Sequence, residues 1–130
     1  MAAHYYTRYG HGGSIDSINE EQVIANLLGE LRNEQQPEPD DEHTQVSIGN
    51  EHWSVTVQVS GLVTFDNIDI LEGLPSELPE NLYLRNVADD TVKAIWRAVT
   101  RGDGVSLLSH SWVAFDELSP YTKDFYRNAR

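Results

Sequence analysis

Trp53-Ser54-Val55-Thr56-Val57-Gln58-Val59 alternates large apolar residues with small or polar ones. Successive side chains of a strand point to opposite faces. The segment therefore puts Trp53, Val55, Val57 and Val59 on one face and Ser54, Thr56 and Gln58 on the other. A strand with one apolar and one polar face belongs to an antiparallel sheet covered on one side. The same alternation precedes it, with Val46 and Ile48 in Thr44–Ile48, and Gly49-Asn50 is a turn signal between the two. Ser60-Gly61 then leads into Leu62-Val63-Thr64-Phe65, so the three segments read as a meander.

Further strands are expected at Leu82-Tyr83-Leu84 and over Val105 to Phe115, the latter mostly apolar and so covered on both faces. Tyr5 and Tyr9 fit a short edge strand. Gly10-His11-Gly12-Gly13 reads as a turn, because no Lys-Ser/Thr follows it as a phosphate loop requires. Val23, Ile24, Leu27, Leu28 and Leu31 recur at helical spacing, predicting a helix over 19–33. Ser17–Glu20 matches a capping box, with Asn19 as a competing cap. A second helix is expected over 89–101, with Val92, Ile95, Trp96 and Val99 as its apolar stripe. Asp89 or Asp90 is at its start and Gly102 just past its end. Ser119-Pro120 suits the opening of a short terminal helix with Tyr121 and Phe125 on one face. The expectation is an α+β fold: an antiparallel sheet of about five strands against two main helices, with a short C-terminal helix. All of it forms one domain over residues 1–130.

Charge is unevenly distributed. Residues 1–80 carry 15 acids and 2 bases, whereas residues 81–130 carry 6 acids and 7 bases, giving a net of −12 for the chain. The densest acidic stretch is residues 34–43, with Glu34, Glu38, Asp40, Asp41 and Glu42, and Pro37 and Pro39 keep it from being a regular helix. It is a solvated loop or an acidic recognition surface. Residues 66–80 read as a polar loop with two Leu-Pro steps, carrying a second acidic group at Asp66, Asp69 and Glu72. Such a charge repels phosphates, which argues against direct nucleic-acid binding and suits a basic protein partner.

The chemistry-bearing residues are sparse. There is no cysteine, so disulfides, thiol catalysis and Cys-ligated zinc are excluded. His4, His11, His43, His52 and His110 show no metal-ligand spacing. His52 reads as an exposed edge residue. His110 beside Trp112 is the one candidate general base, with a hydrogen-bonded structural role as the simpler reading. No cofactor or metal is expected. No apolar run approaches the length of a membrane span, and the N-terminus lacks a secretory pattern, which makes the cytoplasm the expected compartment.

Several of these segments also carry a resemblance. They are the helix from Glu20 to Leu31 and the run Leu82-Tyr83-Leu84, Val87, Val92, Ile95 and Gly102, closing on Trp112. The order of strand, apolar position, helix ending in Gly and strand ending in Trp resembles a large family of bacterial immunity proteins paired with polymorphic toxins. The resemblance spans residues 15–113. It departs from the family at Asp103-Gly104, where a basic residue or proline often follows the helix Gly, and at the Leu-Pro loop over 74–79. It implies a non-enzymatic antitoxin that binds and blocks a cognate toxin domain, often a nuclease or deaminase. The candidate contacts are Glu38, Asp40, Asp41, Glu42, Asp66, Asp69 and Glu72, with Tyr5, Tyr6 and Tyr9 as candidate aromatic anchors. Two other classes fit the acidity: a nucleic-acid mimic that inhibits a DNA-binding enzyme, and a small ligand-binding or enzymatic domain.

Overall fold

The computed structural model describes residues 3–8, 10–31, 45–59, 61–76, 78–85, 87–114 and 117. In chain order the elements begin with β1 (Ala3–Tyr6), β2 (Gly12–Ile15), α1 (Glu20–Leu31), β3 (Gln45–Gly49) and β4 (Trp53–Gln58). They continue with β5 (Val63–Asn67), α2 (Ile68–Leu71), β6 (Asn81–Leu84), α3 (Asp89–Thr100) and α4 (Gly104–Leu108). The strands form one antiparallel sheet of order β2-β1-β3-β4-β5-β6, so the α+β class read from the sequence holds.

The expected meander is β3-β4-β5. Ile48, Val55 and Phe65 lie in one row across it, and Val46, Val57 and Val63 in the next. All six are fully buried. Between them, Ser47, Thr56 and Thr64 form a half-buried polar row on the opposite face. The period of two thus separates a core face from a polar face across the whole meander.

α1 and α3 cover the apolar face. α1 buries Val23, Ile24, Leu27, Leu28 and Leu31, and α3 buries Val92, Ile95, Trp96, Ala98 and Val99. Trp96 is the largest fully buried side chain, and its indole N–H donates to the Val55 carbonyl at 3.2 Å. Hydrogen bonding of a buried indole is what allows so large a residue inside. The first turn of α1 lies beside the last turn of α3. Arg97 donates two 2.7 Å bonds to the Glu21 carboxylate, while Arg101 and Thr100 donate to Glu20. Gly102, at φ 65°, ends α3 as expected, and the Asp103 N–H closes back on the Ala98 carbonyl at 2.8 Å.

Four local expectations are corrected. Gly12–Ile15 is not only turn but the edge strand β2, closing a hairpin with β1. A Cβ on Gly13 would sit 2.6 Å from the Tyr5 hydroxyl, so a side chain there would displace the Tyr5 ring. The Ser17 capping box does not form. Asp16 instead accepts from the Ile18 and Asn19 N–H groups at 2.8 Å each, and Asn19 returns a bond to the Asp16 N–H. Within the 66–80 loop, Ile68–Leu71 forms one helical turn.

The fourth correction is the largest. Val105 to Phe115 is not a strand: it opens with α4. Asp103 caps this helix, accepting from the Ser106 N–H at 3.1 Å and from its hydroxyl at 2.6 Å. Helical pitch buries Leu107 and leaves Val105 86% exposed. Trp112 then packs on Phe65 with centroids 6.0 Å apart, and Val113 bridges Tyr83 through two backbone bonds. The acidic stretch 34–43 and the helix expected from Ser119-Pro120 lie outside the described residues. Among the described residues, no helix is long and apolar enough to cross a membrane.

Two outcomes test this packing. Trp96→Ala should lower unfolding stability by about 3–5 kcal/mol, read from urea titration, since it opens a cavity and removes a buried hydrogen bond. Burial alone pushes the Glu20 carboxyl up, but its hydrogen bonds from Arg101 and Thr100 overcome this and hold it below the ordinary 4.5. Its stabilisation is therefore present above pH 4.5 and lost as pH falls through the lower folded value. Glu20→Gln should be less stable than wild type at pH 7, and the gap should close in strong acid.

Candidate functional site

The β3–β4 turn is organised by Asn50, which is 1% exposed. Its side-chain amide donates to the Val99 carbonyl of α3 at 2.9 Å. Its carboxamide oxygen accepts from the N–H groups of His52 and Trp53 at 2.7 and 2.8 Å. The His52 carbonyl in turn accepts from the Ile68 N–H at 2.8 Å, which ties the start of α2 to the same turn. Asn67, just before α2, is fully buried and reaches the following loop. Its side-chain amide donates to Ser76 Oγ at 2.9 Å and to the Leu78 carbonyl at 3.0 Å. Asn50 and Asn67 thus hold the turn, α2 and the 74–80 loop at one end of the sheet, next to α4.

Between these parts lies an open groove of about 490 Å³. Its walls are His52 and Trp53 from the turn, Asp69 from α2, Pro75, Ser76 and Leu78 from the loop, and Gly104, Val105 and Leu108 from α4. The Trp53 ring packs beside Gly104. The lining is mainly apolar, and the surroundings add to it. Six large apolar residues are well exposed among those described: Tyr6, Ile18, Leu71, Leu74, Val105 and Leu108. Four of them sit on α2, the loop or α4, so the exposed apolar surface is gathered at this end. Gathered exposure of this kind marks an interaction site, whereas scattered residues do not.

The groove has one titratable pair. His52 Nδ1 lies 2.9 Å from both carboxylate oxygens of Asp69. Asp69 raises the His52 pKa above 6.5, chiefly through this hydrogen bond. A carboxylate orienting an imidazole is one half of an acid–base device. Ser76, the only hydroxyl in the lining among the described residues, is engaged as scaffold by Asn67 and by the Leu78 N–H. His110 does not line the groove. Among the described residues, no group of three His, Asp or Glu side chains is placed to hold a metal ion.

The expected contact residues separate. Asp69 lines the groove, and Glu72 is exposed at the end of α2. Asp66 does not join them. It is half-buried on β5, where burial pushes its carboxyl up against the lowering effect of a 2.5 Å bond from Asn81. Glu38, Asp40, Asp41 and Glu42 lie outside the described residues, as does Tyr9. Tyr5 packs against the core, while Tyr6 is 50% exposed. His52, Trp53, Val105 and Leu108 were not singled out as site residues by sequence reasoning. One signal was present in the sequence: from Asn33 to Leu84 the chain has 11 acids and no Lys or Arg. The segments that build most of the groove fall inside that base-free stretch.

The chain matches no protein-family model, no curated protein and no solved structure.

The His52–Asp69 pair has a defined pH signature. Because the folded-state pKa of His52 is raised, the pair stabilises the fold fully below 6.5 and loses that contribution as pH rises through the folded value. Asp69→Asn should therefore lower the melting temperature more at pH 6 than at pH 9. An equal loss at both would mean the ion pair does not form.

Proposed function

We propose that this chain is a bacterial immunity protein. It binds and blocks a cognate secreted or contact-delivered toxin domain in the cytoplasm of the producing cell, and it has no catalysis of its own. The observation that carries this reading is the apolar groove whose walls come mostly from the base-free, acidic stretch of the chain. An exposed apolar patch asks for a protein partner, and the surrounding charge asks for a basic one. A toxin acting on nucleic acid, such as a nuclease or deaminase, needs a basic substrate surface and so meets that demand. Steering by opposite charge also raises association rates, which suits an inhibitor that must capture a lethal enzyme before it acts.

The nucleic-acid mimic fits less well. Such a protein needs free, evenly spread carboxylates, whereas Glu20 and Glu21 are taken up by Arg101 and Arg97. The His52–Asp69 pair in a groove is the one observation favouring a ligand-binding or acid–base domain.

Co-expression with the toxin domain encoded beside it should restore growth to cells that the toxin alone kills. Death despite abundant folded chain would sink the reading. Charge reversal of Asp40, Asp41 and Glu42 to Lys should slow association about tenfold at low salt and flatten its salt dependence, because rim charges act mainly on the on-rate. An unchanged rate would remove this stretch from the interface.

A further inference from the structure

We infer that the groove receives an amphipathic segment of the partner, with its apolar side chains on Trp53, Val105 and Leu108 and an Arg or Lys over Asp69. This deepens the reading above and rests on it.

Two independent features define the occupant. The first is shape and polarity. Trp53 and Leu78 form the apolar wall toward the core, and Val105 and Leu108 form the outer lip, 86% and 38% exposed. A segment that seats apolar side chains here removes both lips from water, which is the main source of affinity at a protein interface. The second is charge. Among the described residues, no Lys or Arg lines the groove, and the charged wall residue besides His52 is Asp69, whose side chain is 17% exposed. A carboxylate that shielded strengthens its pairing with an incoming cation, and its oxygens keep lone pairs beyond the one N–H that His52 directs at them. An acidic segment would meet Asp69 with like charge, so the groove selects against it.

Direct measurement separates this from general stickiness. The full-length chain, labelled with 15N, is titrated with a synthetic Leu/Arg amphipathic helical peptide and with its Leu/Glu counterpart. The Leu/Arg peptide should shift the amides of His52, Trp53 and Leu108, and the Leu/Glu peptide should bind about tenfold more weakly or less. Val105→Ser should weaken the Leu/Arg peptide by about tenfold while leaving the fold intact, since Val105 makes little contact with the core. Asp69→Asn should narrow the gap between the two peptides. Equal binding of both, shifts mapped to the Thr56–Thr64 face, or indifference to Val105→Ser would overturn the proposal. Shifts at the groove that grow with protein concentration alone would assign it to a second copy, which also overturns it. Peptide binding at the groove without protection in cells would sink the immunity reading and spare the groove. Protection with no groove shifts would do the reverse.

Discussion

The carboxamide of Asn50 is the interaction on which the functional end of the molecule depends. Buried between the β3–β4 turn and the C-terminal turn of α3, it makes three hydrogen bonds, to the Val99 carbonyl and from the N–H groups of His52 and Trp53. Each partner is a backbone group, and leaving such groups unpaired away from water is costly. A buried network of this kind orients as well as stabilises. It sets the direction in which His52 and Trp53 leave the sheet, and through the His52 carbonyl it sets the start of α2.

The rest of the fold provides a firm base for that corner. Trp96 fills the space between α3 and the sheet and is anchored to the middle of β4 by its hydrogen bond to Val55. At the other side of the helix layer, Arg97 and Arg101 pair with Glu21 and Glu20 and so join the end of α3 to the start of α1. These are opposite charges placed where the helix dipoles also favour them, acids at an N-terminus and bases at a C-terminus. The ends of α3 and α1 are thus fixed by packing and by charge together, and Val99 is carried to Asn50 by the same helix.

Charge has two separate uses in this molecule. Arg97 and Arg101, at the end of α3, are taken up by Glu21 and Glu20 of α1, where they support the fold. Among the described acids of the base-free stretch, Asp69, oriented by His52, and Glu72, in solvent, stand at the groove end. They lie near exposed Leu71, Leu74, Val105 and Leu108, which gives a binding face both attraction at a distance and apolar area on contact.

The sequence by itself determined the β3-β4-β5 meander, both long helices, the glycine stop at Gly102 and the apolar residues of the core. These follow from periods of 2 and 3.6 and from residue-specific backbone preferences, all of which act over a few neighbours. It also carried the charge asymmetry. The Val105–Phe115 stretch misled because a short apolar run has no period of its own, and a single cap at Asp103 decided for helix. The groove was not legible. His52 and Asp69 are 17 residues apart, and Asn50 and Val99 are 49 apart. Only the closing of the sheet against α3 brings such pairs together. Whether an acidic residue becomes a half-buried strand neighbour, as Asp66 does, or a groove wall, as Asp69 does, depends on the turn from β5 into α2. Such turns are set by tertiary hydrogen bonds, and no local pattern encodes those partners.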